Sequence, residues 1–500
     1  MSWKWTVFLA AIFFLRGVVY ICVLPPGEMW DETSHMAYVD YVAVHHSLPV
    51  YGKAKTDPLF LVAASRMPQP KDAQFGRCYP DFWQSGPPSG PPPVCGLYEA
   101  QHPFLYYSLM APVYRMVGGR DHLVTAFSIF RLINLSFGCM AVCLIFRSMA
   151  RVEVRPAGVL IGSWIALHPL LIVNTVRVAN DSLAFLFGTV VVSTALRVCR
   201  SCWKFPSLVI AIALPLAILT KSTNLILVPL MPVFLFAAVA QGVRASKAVA
   251  GFFLISIFSG LLLAPYFCHN FLHYGSFTLM AEAVANRAAG RSFSAVWSAF
   301  PIRQLPLMAA SWWVVNGLWV GGWSFLRPPR VFQLAYALLL GICAMSVLKH
   351  RKRLAPSIPF QTIVICLVVS VQCALTVHAV ESYSATGRVM TNPWYAAIAI
   401  PWVLVIFGCG ANEIRHRWLR RVVLFGLPAL FLAADCYGIF GLMMPAYYCA
   451  PVFGRLCFQR MTCLHPAYLG PFTLLASGSL LVAGILAAIF LQRFGRNSRV

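Results

Sequence analysis

Carboxylates are what this 500-residue sequence has least of, with 15 Asp plus Glu against 39 Lys plus Arg. Charge of either sign is scarce as well: 11% of the residues are charged and 59% are hydrophobic. A soluble domain is nearer a quarter charged, so that class is excluded. A membrane span needs about 20 apolar residues, and such stretches recur along almost the whole chain, which reads as a polytopic all-α membrane protein. Internal repeats, low-complexity tracts and a separate soluble domain are all missing, so residues 1–500 are read as a single integral-membrane domain. No CxxC pair or His/Cys spacing makes a strong zinc signature.

The net charge of +24 would suit nucleic acid, but its distribution excludes that partner. Basic residues punctuate the hydrophobic segments, as at Arg147, Arg151 and Arg155, at Lys349 to Arg353, and at Arg415 to Arg421. That is the positive-inside pattern of cytoplasmic ends. Threading the chain through these anchors predicts about twelve spans with both termini cytoplasmic: 6–24, 123–147, 157–176, 181–198, 206–220, 223–241, 248–268, 331–348, 358–378, 393–410, 421–442 and 470–492. Residues 103–117 are left over and read as an in-plane or re-entrant helix on the outer side. Lys4 precedes the first apolar run, but no A-x-A cleavage site follows, so the run is expected to stay as an anchor. Two long outer stretches remain, 25–122 and 269–330.

The few acids are not spread evenly. Eight of the fifteen lie between Pro25 and Gln101, in a chain where acids contribute little to topology. The stretch "PPGEMWDETSHMAYVDYV" places Asp31, Glu32 and His35 where three- and four-residue spacing can bring them to one helix face. Capping of a helix N-terminus by acids beside its dipole is one reading, and a chemical site is the other. Cys78 and Cys95 share the Pro-rich outer loop, where an oxidising compartment would favour a disulfide. Cys449, Cys457 and Cys463 form a second outer group whose pairing stays open.

The order of these features resembles the GT-C superfamily of integral-membrane glycosyltransferases. It is most similar to a bacterial membrane family with "PPDE..H" after the first span, here Pro25, Pro26, then Asp31, Glu32 and His35, with "GEMW" inserted. "YEAQHPFLYY" resembles that family's "HPPLYY" box and puts His102 at its His/Lys position, with Phe104 for the second proline. "FRLINL" supplies Arg131, "RVANDSLAFL" supplies Asn180 and Asp181, "LTKSTNL" supplies Lys221, and "SATGRVMTNPW" resembles "GRYLLP" and supplies Arg388.

The resemblance implies a GT-C-like bundle that transfers a sugar from a polyprenyl-phosphate donor to an extracytoplasmic glycan, lipid or protein acceptor. Asp31 would be the general base, with Glu32 orienting the acceptor, tuning Asp31 or sharing a divalent cation such as Mg or Mn. His35, His102, Asp181, Lys221 and Arg388 would bind substrate, the cations meeting the leaving phosphate. The expected setting is a bacterial inner membrane with the site on the outer side. Each residue also has a plainer use: snorkelling for Lys221 and Arg388, helix capping for His102 and Asp181, pairing inside the bundle for Arg131. Arg16 has no assigned partner. The outer stretch adds Glu282, Arg287, Arg291 and the tryptophans Trp312, Trp313, Trp319 and Trp323, suited to a membrane belt or to stacking on sugars or prenyl chains. The alternative function is a transporter or flippase of a lipid carrier.

Overall fold

The structure of the protein, a computed structural model, describes residues 3–67, 95–151, 158–196, 204–321, 326, 328–352, 354, 358–389, 393–449 and 455–497. Among them there is no β-sheet, only an isolated bridge between Lys55 and Gly96. Cys78, Gly322 and Trp323 lie outside the described residues.

Helices follow where apolar residues run on, and each of the twelve expected segments coincides with a helix or helix pair. α1 is Trp3–Val23, and the outer stretch then forms α2 (Glu32–His45), α3 (Pro58–Ser65) and α4 (Leu105–Met116). α5 (Leu123–Arg151), α6 (Gly158–Ala166), α7 (Pro169–Val176), α8 (Asp181–Ala195), α9 (Lys204–Thr220) and α10 (Leu230–Ala240) continue the bundle. After α11 (Ala245–Tyr274), three short helices cross the second outer stretch: α12 (Ala281–Ala288), α13 (Phe293–Ala299) and α14 (Leu305–Trp313). α15 (Arg330–His350), α16 (Ile358–Thr386), α17 (Ile400–Asn412), α18 (Arg417–Cys436), α19 (Arg455–Leu464) and α20 (Pro471–Asn497) complete it. By length and composition, eight of the described helical segments can cross a membrane, α6 and α7 make a ninth as a pair bent by 49°, and α8, α9 and α17 are shorter apolar helices. Residues 103–117 form α4, which packs on α2.

The bend between α6 and α7 has a local cause. Pro169 opens α7 and has no N–H to continue the ladder of α6. The carbonyls of Ala166 and His168 at the break accept hydrogen bonds from Arg16 Nη1, at 3.2 and 3.4 Å. The same guanidinium pairs with Asp435 of α18 through Nε and through Nη2 at 2.7 Å, and Tyr20 Oη donates to Asp435 at 2.7 Å. Arg16 therefore holds three segments far apart in sequence. Close packing elsewhere depends on small residues: a Cβ on Gly17 of α1 would lie 2.3 Å from Leu135 of α5.

Candidate active site

The end of the bundle where α1, α7 and α9 finish and α8 begins is roofed by α2. Glu32 anchors that roof. Its carboxylate is fully buried and accepts from Arg131 of α5 (Nε to Oε1 2.8 Å, Nη2 to Oε2 2.6 Å), from Val178 N at 2.8 Å, and from Gly27 and Met29 N at 3.1 and 3.3 Å. Arg131 also donates to the carbonyls of Leu24 and Pro25. Five donors on one carboxylate leave Glu32 turned towards the scaffold. A second clamp fixes the other end of α2, where Arg120 bridges Asp40 at 2.7 Å and Asp57 at 2.9 Å.

Asp31 is thereby set apart from Glu32. It stands at the N-cap position of α2 with φ 59°, a left-handed conformation that Asp tolerates better than most residues, and its side chain makes no capping hydrogen bond. Among the described residues nothing donates to its carboxylate, which keeps a part-open surface. Burial by surrounding protein and the Glu99 carboxylate push its pKa well above the usual range, against the pull of Arg177 and Lys221. Glu99 goes the other way. Burial would raise it, but His35, His102 and Lys221 together hold it down to about 2. The two neighbouring carboxyls are thus driven in opposite directions.

His35 and His102 flank Glu99. His102 Nε2 lies 2.9 Å and His35 Nδ1 3.9 Å from Glu99 Oε2. His35 Nδ1 is also 2.8 Å from Tyr107 Oη, and burial holds its imidazole down to about 3 despite Glu99. The structure thus parts the three residues of the first motif: Glu32 faces Arg131, His35 faces Tyr107 and Glu99, and Asp31 is left to the cleft.

Asp181, the first residue of α8, binds two cations. Lys221 Nζ, from the turn after α9, is 2.7 Å from its Oδ1, and Arg177 donates to its Oδ2. All three side chains are buried. The guanidinium of Arg177 lies 4.4 Å from the Trp394 ring centre, and Lys221 Nζ lies 5.3 Å from that of Tyr395. Trp30 and Trp319 each stand 5.5 Å from Trp394, so an aromatic wall runs beside the cations. Arg177 and Lys221 thus share one carboxylate in a low-dielectric setting, with the Glu99 carboxylate also within electrostatic reach of Lys221.

Of the residues expected from sequence, Asp31, His35, His102, Asp181 and Lys221 come together around this cleft. Arg388 does not. It is exposed just beyond α16, its backbone N–H donates to Thr386 Oγ1 at 3.2 Å, and among the described residues it makes no ion pair. Sequence reasoning assigned no role to Arg177 or Glu99. Each had a local signal: Arg177 is four residues before Asp181, and Glu99 three before His102. Among the described residues, no group of three or more His, Cys, Asp or Glu side chains is placed to hold a metal ion.

These features define a polytopic helical membrane protein with a GT-C-like fold, its cluster of buried polar side chains under a helical roof. No family model matches the chain, and no curated protein matches its sequence. Solved structures do. ArnT from Cupriavidus metallidurans, in a structure bound to undecaprenyl phosphate, is similar at a TM-score of 0.51 and 13% identity, covering 99% of this chain and 73% of that one. The Archaeoglobus fulgidus oligosaccharyltransferase follows at a TM-score of 0.47 and 12% identity, covering 89% and 56%. The Saccharomyces cerevisiae protein O-mannosyltransferase Pmt1–Pmt2 complex, bound to its sugar donor, gives 0.36 and 14% over 57% and 36%.

Proposed function

We propose that this protein is a glycosyltransferase that moves a sugar from a polyprenyl-phosphate donor to an acceptor on the outer side of the membrane. One observation carries the reading: Asp31, whose carboxylate has no hydrogen-bond donor among the described residues, lies within electrostatic reach of two buried cations that share a single carboxylate. Asp31 takes the proton of the acceptor hydroxyl as its oxygen bonds to the anomeric carbon. The bond from that carbon to the phosphate oxygen breaks, and the lipid phosphate leaves as an anion held by Lys221 and Arg177, with His102 at the edge. Glu32 positions Asp31 by fixing the chain around it. Phosphate binding is assigned to Arg177 beside Lys221, which the Asp181 carboxylate holds together, rather than to the exposed Arg388.

The likeness in fold to ArnT, whose structure holds undecaprenyl phosphate, supports a lipid-phosphate ligand. The outer orientation is supported by the basic clusters at the other helix ends and by Cys457, which is disulfide-bonded, a bond that persists in oxidising compartments. The helix carrying Cys457 belongs to the cleft end, where Arg460 donates to Tyr448 O and Tyr448 Oη to Val23 O. A bacterial inner membrane fits this arrangement.

The test is an assay of the purified full chain against polyprenyl-phosphate hexoses and pentoses with a lipid or glycan acceptor. Release of polyprenyl phosphate with glycosylation of the acceptor is expected. Donor that is bound and moved between leaflets but never cleaved would favour a lipid-carrier transporter instead.

A further inference from the structure

The ring of Tyr395, 5.3 Å from Lys221 Nζ, extends into a second wall, with His378 of α16 beside it and Glu282 of α12 within electrostatic reach, two groups the transfer chemistry leaves unused. Glu282 is within electrostatic reach of Tyr98, Tyr395 and His378, and Asp31 and Glu99 reach the same two tyrosines. Among the described residues Glu282 makes no hydrogen bond or ion pair. His378 lies with its ring centre 5.2 Å from that of Tyr395, and its Nδ1 is buried without a hydrogen-bond partner among the described residues. The scaffold behind them is fixed: Asn286 Nδ2 of α12 donates to Glu381 Oε2 of α16 at 2.7 Å, and Arg291 Nη1 donates to Asn286 Oδ1 at 3.0 Å.

A buried imidazole nitrogen without a partner is costly unless something binds it. The chemistry of the wall limits what that is. A phosphate would be repelled by Glu282. A prenyl chain would strip water from Glu282 and His378 and return no hydrogen bond. A polyhydroxylated ring satisfies all three groups, because its hydroxyls can donate to the carboxylate and pair with the imidazole while its C–H face lies on Tyr395. We infer that Glu282, His378 and Tyr395 form a subsite for a neutral sugar ring. That this ring is the one carried by the donor rests on the proposed transfer function; the subsite itself does not.

Trp394, whose ring centre is 6.1 Å from that of Tyr395, provides the reporter. The full chain in a sugar-free detergent is titrated with free hexoses and pentoses while tryptophan emission is followed, for the wild type, Glu282→Gln and His378→Asn. Saturable change in the wild type is expected, with half-saturation raised about tenfold or more in each variant, the loss of roughly one polar contact. A wild type that does not respond, or variants that respond as it does, would overturn the subsite. A second arm measures binding of polyprenyl phosphate with and without a hexose. The variants should lose about tenfold for the sugar-bearing lipid and bind the bare lipid as the wild type does; equal losses for both lipids would count against a sugar contact. If free sugars bind and neither lipid does, the transfer function fails and the subsite stands.

Discussion

Few residues tolerate the backbone conformation that Asp31 adopts, and Asn is another of them. Asp31→Asn therefore isolates the lost charge from the fold. Turnover should drop by about 10²–10⁴, with the donor still bound and the thermal midpoint little changed; near-normal turnover would remove Asp31 from the base role. The pH profile carries the same assignment. Asp31 ionises above the ordinary carboxylate range because of burial and Glu99, so activity should rise with pH beyond about 4 as the base form appears. Glu99→Gln removes one of those causes and should move the rising limb to lower pH. Stability follows a different sign. His35 and Glu99 both have folded-state pKa values below their unfolded ones, at about 3 and about 2, so the unfolded chain binds more protons on the acid side. Their stabilisation is complete above about pH 6.5 for the histidine and 4.3 for the glutamate, and is lost as pH falls. Melting curves between those limits should show a falling midpoint, with a shallower slope in His35→Gln.

The roof over the site is an element whose N-terminal end is held by a fully buried ion pair, Glu32 with Arg131. Arg131→Ala leaves a buried carboxylate without its cation, a change that typically costs about 3–5 kcal/mol. The expected result is a sharp loss of thermal stability, larger than for Asp31→Asn; comparable melting of the two variants would show that the clamp matters little. This element also marks where sequence reading stops. Helix positions were legible because apolar runs and basic punctuation are local, and α4 emerged as the leftover amphipathic piece. Asp31, His102, Asp181 and Lys221 were legible because each sits in a short resembling string. Glu32 beside Asp31 could not be told from a second catalytic acid, since its five donors come from three separate places in the chain: Gly27 and Met29, Arg131, and Val178. Arg177 and Glu99 were passed over because their importance comes from Trp394, Lys221 and His35, which only the folded bundle brings near.

At the scale of the whole molecule, the charge pattern predicts Arg351 and Ser292 on opposite sides of the membrane. Single cysteines at these positions, in a background lacking the exposed native ones, should react with an impermeant thiol reagent in intact cells at 292 and not at 351; the reverse would invert the topology and with it the outer cleft. The Arg16–Asp435 pair has a consequence for synthesis. The two residues are 419 positions apart, and at about 5–20 residues per second the ribosome needs roughly 20–80 s to reach the second after the first. Through that interval the first span holds an arginine at membrane depth, an arrangement that insertion scales put at about 2.5–3.5 kcal/mol, with no carboxylate to meet it. The helix bearing Arg16 is thus expected to remain near the insertion machinery, or beside another polar helper, until the helix bearing Asp435 arrives, so that a late-made helix decides when a much earlier one is released into lipid.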